Sequence, residues 1–358
     1  MKTSAPKIKW ILILWGSVLV SLLSPPSIYS SDFPASVTPL QVIVVDVGHG
    51  DCIWIKTPDD GIEGNGRYEG RNIIIDGGPS SKRIMGLLDD VGLKRNTTID
   101  WLFCTHAHQD HYRGPIAILD NFRVKRIVDP GFRSRSTAYG AFCWRSFIEP
   151  GAVFYSPAIG APPILGLKSL GDKVPYKLDW GQELKVEILY SNPFVNKYTI
   201  NLSSIVLRLE YKFVSFLFTG DAEGKYRRSS PVRAGMVEKF LLDHYTGEGR
   251  NELKSTILKI AHHGSETSGT TPFIKAVQPK EGIICVGNRY NLPDESVMKR
   301  YRDNGCRIWR TDRLDKGKSA SQCSGDDHVI IITDGIDYSI KYMKQDEEEG
   351  KLKLSTNN

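Results

Sequence analysis

The segment Thr105-His106-Ala107-His108-Gln109-Asp110-His111 carries three imidazoles and a carboxylate within six residues and directly follows the apolar run 101–104. Imidazole and carboxylate are ligands that zinc, manganese and iron accept. A strand ending in a tight loop lets His106 and His108 reach one ion while Asp110 and His111 reach a second beside it. Matching signals close three other strand-like runs: Asp76 after 72–75, Asp221 after 216–220, and His262 with His263 after 258–261. An aspartate after a strand is by itself an ordinary turn former. Together with the histidine cluster, these residues describe one polar site at one edge of a pair of sheets. Asp51, beside His49, either faces that site or forms a turn.

Such a site needs strands that end together. Runs of strand length, rich in Val and Ile, fall at 42–45, 52–55, 73–75, 101–104, 126–128, 185–189, 204–209, 215–219, 256–260, 282–286, 307–309 and 329–333. Helical spacing lies between them at 81–91, 114–120, 235–245, 272–277 and 293–304. This pattern predicts layered sheets covered by helices on the outside. Residues 131–174, rich in Gly, Pro, Ser and aromatics, interrupt the rhythm and read as a long loop insertion. Residues 57–71 read as a protruding hairpin tip, and 345–358, with Asp346-Glu347-Glu348-Glu349, as a disordered tail.

The chain of 358 residues is 40% hydrophobic and 25% charged, which excludes collagen-like, disordered and disulfide-packed classes. Its apolar stretch 10–23 is fourteen residues long, short of the roughly 20 a spanning helix needs, so a multi-pass membrane protein is excluded. Lys2, Lys7 and Lys9 precede that stretch and small residues follow it, the order of a secretory signal peptide over 1–30. The body is therefore expected to be exported, either cleaved near Ser30 or, because Ile28 and Tyr29 make a poor cleavage site, anchored by an uncleaved leader. Removing 1–30 leaves 44 basic against 41 acidic residues, lowering the net charge from +6 to +3, which names no partner. Locally, Arg123, Lys125, Arg126, Arg133, Arg135 and Arg145 alternate with Phe122, Phe132, Tyr139, Phe142, Trp144 and Phe147. That mixture suits a phosphate backbone with stacked bases, or a solvated loop with its own apolar cluster. Of six cysteines, Cys52, Cys104 and Cys285 sit in apolar runs as small hydrophobes, while Cys306 and Cys323 are placed to bridge.

The motif His106-x-His108-x-Asp110-His111, with Asp76, Asp221 and His262, resembles the metallo-β-lactamase-fold hydrolases. More narrowly, Asp46-Val47-Gly48-His49-Gly50-Asp51, the stretch 201–207, Thr219-Gly220-Asp221 and His262-His263-Gly264-Ser265 are similar to the hydrolase domain of ComEC-like DNA-uptake proteins, a resemblance running over about 41–335. It implies a four-layer αββα sandwich with two divalent ions, Zn2+ or Mn2+, at the rim of the sheets. His106 and His108 would hold one ion, Asp110, His111 and His262 the other, with Asp221 bridging. Bound metal would lower the pKa of a shared water from about 15.7 toward 7. Asp76 would orient the cluster, making Asp76, Asp110 and His263 the catalytic candidates. Asn201, Ser204 and Ser265 would meet the substrate, and the residues alone leave open which of His262 and His263 ligates. Where many members carry a further histidine between the cluster and the bridging aspartate, this chain has Asn201 and Ser204, and Leu292 replaces a late histidine.

The implied activity is hydrolysis of a phosphodiester, in nucleic acid or in a cell-envelope polymer, because two neighbouring ions suit in-line displacement at phosphorus. The same site would polarise the carbonyl of an ester, lactone or amide, and fold does not choose between these. A non-catalytic binding module is the third reading, against which the complete set of candidate ligands stands. His244, at the end of a helical stretch, and His328 lie outside every motif and are expected to be structural.

Overall fold

In a computed structural model of the chain, the described residues are 37–157, 168–169, 176–319 and 322–344. The expected leader over 1–30 and tail over 345–358 lie outside them. The first sheet starts with β1 (Leu40–Val44), β2 (Ile53–Lys56), β3 (Asn72–Ile75), β4 (Trp101–Phe103), β5 (Arg126–Val128), β6 (Val153–Ser156) and β7 (Lys168–Ser169). The second holds β8 (Tyr176–Leu178), β9 (Leu184–Tyr190), β10 (Val206–Tyr211) and β11 (Val214–Phe218). A small ribbon, β12 (Thr246–Gly247) with β13 (Arg250–Asn251), follows before β14 (Ile257–Lys259), β15 (Glu281–Ile284) and β16 (Arg307–Arg310) complete that second sheet. The chain then returns to the first with β17 (Val329–Thr333) and β18 (Tyr338–Tyr342).

Both sheets are mixed. The first runs β18-β17-β1-β2-β3-β4-β5-β6-β7, antiparallel up to β3 and parallel beyond it. In the second, ordered β16-β15-β14-β11-β10-β9-β8, the parallel half comes first. Alternation along the strands sorts the core into layers. Val42, Val44, Ile73 and Ile75 face Val186, Ile188, Leu207 and Phe216 between the sheets. Ile43, Ile74 and Leu102 point outward against α1 (Ile84–Asp90), α2 (Gln109–Asn121) and α3 (Thr137–Ile148). Leu217, Leu258 and Ile284 cover the opposite outer face with α4 (Met236–Tyr245), α5 (Thr271–Val277) and α6 (Glu295–Asp303). The architecture is the expected αββα sandwich.

Helix α3 corrects the reading of 131–174 as a loop insertion. Its buried residues Tyr139, Phe142 and Ser146 do fall at helical spacing, and Ser136 caps its first turn. Gly140 and the exposed aromatics Trp144 and Phe147 on the other face mask that period in the sequence. Phe122, Phe132, Tyr139 and Phe142 are core residues, so only part of the aromatic set faces solvent. The expected Cys306–Cys323 bridge is also absent: all six cysteines are free. Cys306 packs beneath α6 in the outer core, and the Cys323 thiol donates to the Ser319 carbonyl.

Candidate metal centre

Parallel pairing aligns the carboxyl ends of the strands that carry the motif. Register Ile75↔Phe103 brings Asp76 beside Thr105, and Phe218↔Lys259 brings Asp221 beside the His262–His263 turn. Asp76 takes a left-handed φ of 59°, a strained conformation for a non-glycine residue. That turn is sewn to α2, because Gly77 N–H donates to the His111 carbonyl at 3.1 Å and Gly114 N–H to that of Gly78 at 3.0 Å. Gly114 permits the approach: a Cβ there would lie 1.8 Å from the Gly77 oxygen.

The Asp76 carboxylate organises the histidine cluster. It accepts from the Thr105 N–H and hydroxyl, each at 2.7 Å, and meets His111 Nδ1 at 2.8 Å. His111 therefore presents Nε2 to the centre. His263 does the same from the other sheet, with Nδ1 on the Cys285 carbonyl at 2.6 Å. Asp221 Oδ2 lies 3.5 Å from His111 Nε2, 3.4 Å from His263 Nε2 and 3.6 Å from His106 Nε2. Both His111 Nε2 and His263 Nε2 are buried without a hydrogen-bond partner. Orphaned imidazole nitrogens converging on one carboxylate oxygen are what a divalent cation fits.

Donor atoms gather in three overlapping groups: His106, His108 and Asp221; Asp51, His111, Asp221 and His263; and His49, Asp110 and His263. Asp221 belongs to two of them. His263, rather than His262, stands among the donors, which corrects the ligand set expected from the sequence. Both residues have left-handed φ, 51° and 53°, so the turn sends neighbouring side chains apart. His262 goes to Thr267 Oγ1 at 2.9 Å and Glu223 Oε1 at 3.2 Å. Asn201 and Ser204, expected on the substrate, are buried and hold the scaffold instead. Asn201 Nδ2 lies 3.2 Å from His262 Nε2, and Ser204 Oγ accepts the Asp221 N–H at 3.0 Å. Ser265 does reach the cavity over the donors.

Two residues near the donors were passed over in the sequence. Glu223, two positions past Asp221, fixes His262. Lys259 is buried, with Nζ 2.5 Å from Asp51 Oδ2, 3.6 Å from Asp221 Oδ1, and donating to the Gly220 carbonyl at 2.8 Å. A charge inside the apolar run 256–260 was its signal, since a buried ammonium requires a partner. With its Oδ2 on Lys259, Asp51 does face the site but is partly spent on a fixed cation.

The electrostatics are those of carboxylates awaiting positive charge. Burial works against ionised Asp221, yet the His263 and His111 cations hold its carboxyl well below the usual range. Burial likewise opposes charge on His263, but the facing Asp221 and Asp110 carboxylates push it up to about 10. His49 moves the other way, to about 3, through burial and the neighbouring His263 cation. Protons on His111 and His263 thus supply the charge that metal would bring. His244, stacked on Phe240 with Nδ1 on its carbonyl, and His328, which accepts the Asp46 N–H at 2.9 Å, stand outside the donor groups.

Above the donors opens a cavity of ≈ 680 Å³ whose wall includes Arg113, Arg227, Arg289 and Tyr290. None of the residues 122–147 lines it.

Comparison with known proteins adds relatives to this geometry. A family profile described as the metallo-beta-lactamase superfamily matches residues 66–288. ComE operon protein 3 of Bacillus subtilis is 27% identical over 293 residues, covering 76% of this chain and 32% of that protein. Recombination protein 2 of Haemophilus influenzae is 24% identical over 263 residues, 73% of this chain and 26% of its own length. The chain thus spans about a third or less of these relatives. Among solved structures, the metallo-beta-lactamase fold protein YhfI of Bacillus subtilis aligns over 75% of this chain and 96% of its own, at 11% identity and a TM-score of 0.39.

Proposed function

We propose that this chain, which belongs to the metallo-β-lactamase superfamily and is a hydrolase with a buried His/Asp metal site, cleaves phosphodiesters. The observation that carries the reading is the cavity wall. Arg113, Arg227 and Arg289 surround a space floored by His/Asp donors, and guanidinium groups are suited to phosphate oxygens. An uncharged ester or lactone would make no use of three such groups. Arg227 is partly committed to Glu266 at 3.2 Å, while Arg113 and Arg289 make no ion pair among the described residues.

Each side chain has a part in this scheme. His106, His108 and Asp221 would hold one divalent ion, and His111, His263, Asp110 and Asp221 a second. When bound, such ions supply Lewis acidity and water of lowered pKa. Asp76 keeps the His111 ring turned so that Nε2 faces inward, and the Cys285 carbonyl does so for His263. Asp110, held well below its ordinary pKa against burial by the His263 cation 3.5 Å away and the nearby His111 cation, stays ionised and ready to ligate or orient. The arginines bind and align the anion. Export is part of the proposal and rests on the basic, apolar and small order of residues 1–30.

The test is a chromogenic bis-aryl phosphate against aryl esters and lactones, with protein carrying Zn2+ or Mn2+ and again after chelation. Chelator-sensitive phosphodiester cleavage is expected. Ester or lactone turnover without phosphodiester turnover would overturn the reading.

A further inference from the structure

The arginines and aromatics of 122–147 take no part in the cavity over the donors, and the buried half of that set is ordinary core. The exposed half needs another account. A surface helix buries one stripe and turns charged or polar residues outward. Helix α6 follows that rule, exposing Glu295, Lys299, Arg302 and Asp303. Helix α3 does the opposite. Behind its buried Tyr139, Phe142 and Ser146 it exposes Ala141, Trp144, Phe147 and Ile148, and Arg145 is its only charged residue. Trp144, Phe147 and Ile148 are 61%, 52% and 43% exposed, at the i, i+3 and i+4 spacing that places them side by side.

This apolar patch continues inward. A cavity of ≈ 380 Å³ opens beside it, walled by Phe132, Tyr139, Trp144, Phe147 and Phe154. Asp129 also lines the cavity, but its carboxylate already accepts the Tyr139 hydroxyl, at 2.8 and 2.7 Å, and the Gly131 N–H at 2.8 Å. Its charge is spent within the fold. The charges left over are positive: Arg133, which lines the cavity, and Arg135 are exposed and make no ion pair among the described residues, while Arg145 pairs with Asp120.

We propose that this outward face of α3, with Arg133 and Arg135 beside it, docks on an anionic lipid surface. Apolar and aromatic side chains sunk at the headgroup boundary, with cations flanking them, are how an interfacial helix binds. Each arginine close to such a surface adds attraction that salt screens. The patch suits lipid better than a nucleic-acid strand. Trp144 and Phe147 pack on each other at 6.0 Å and 32° instead of standing apart for bases to stack between, and Ile148 has no ring. The chain also holds a second apolar element. Thirteen residues, 24–36, separate the apolar stretch 10–23 from the described body and span about 45 Å when extended, so a bilayer holding that stretch would have the body beside it.

Trp144 can report its own docking. The emission of the full chain minus that of Trp144→Phe, which keeps the face apolar, isolates this residue from the other six tryptophans. The two proteins are compared on vesicles of phosphatidylcholine alone and of phosphatidylcholine with phosphatidylglycerol, each in plain and brominated form. On phosphatidylglycerol vesicles the Trp144 signal is expected to shift to the blue and to be quenched by bromine, less so on phosphatidylcholine, and to recover at high salt. Arg133→Ser with Arg135→Ser, both at exposed positions, should lower the ratio of docked to undocked protein by roughly 5-fold per arginine with the far-UV circular dichroism unchanged. Insertion of 10–23 alone would leave the difference signal unmoved, and that result would overturn the proposal. Equal quenching on both kinds of vesicle would overturn it too. A blue shift without vesicles, brought on by raising the protein concentration or by adding single-stranded DNA, would give the face to a second copy of the chain or to nucleic acid and equally overturn it.

Discussion

The loop after β4 and the first turn of α2 deliver four donors from six consecutive residues, whereas the loop after β14 delivers one donor from two adjacent histidines. On the first side, position follows from sequence spacing, and Asp76 and Thr105 only lock what the spacing has gathered. On the second, the outcome is decided by backbone conformation. Left-handed φ at both His262 and His263, with the Cys285 carbonyl on one ring and Glu223 on the other, selects which imidazole enters the centre. A motif dense in ligands is thus robust to local detail, while a sparse one depends on contacts far away in the chain.

The largest effect should come from the residue that joins the two sides. Asp221→Ala removes the oxygen shared by His106, His111 and His263, and turnover should fall to background with the far-UV circular dichroism largely kept. Full activity in that variant would sink the shared-carboxylate mechanism. Next, His263→Ala should cost more in kcat/KM than the roughly 10- to 100-fold typical of losing a partner outside the ligand set, while His262→Ala stays within that range. An equal or reversed order would return His262 to the donor role expected from the sequence.

Smaller effects test what holds the second side in place. Lys259→Met leaves Asp51 buried without its cation, and urea unfolding should show a loss of about 3–5 kcal/mol. An unchanged midpoint would mean that Asp51 is neutral or solvated in the fold. Outside the donor groups, burial and then the Lys344 cation lower the pKa of His328 to about 4. Between pH 6.5 and 4 the unfolded chain binds a proton there that the folded chain does not. The stability associated with neutral His328 is whole above pH 6.5 and lost as pH falls through 4, a change of about 3 kcal/mol. His328→Asn keeps an acceptor for the Asp46 N–H and should gain on the parent protein by that amount across this window. Parallel pH profiles for the two proteins would contradict the assignment.

Much of this was legible in the residues. The strand runs ending in Asp76, Asp221 and the histidine pair are local signals, and the layered sandwich follows from them and from the helical runs between. What escaped reading depends on tertiary contact. Ser204 looked like a substrate residue, yet its hydroxyl is used on the Asp221 backbone. Helix α3 was hidden because aromatic residues occupy both its buried and exposed faces. The order of His262 and His263 had no local signal at all. Lys259 was readable in principle, as a charge in an otherwise apolar strand.

Metal content measured on the purified full chain and on Asp221→Ala, after equilibration with Zn2+ and before and after chelation, tests the central claim most directly. The account predicts chelatable metal in the parent protein and its loss, with the fold retained, in the variant. A parent protein that binds no metal, or an Asp221→Ala protein that binds as much, would contradict it.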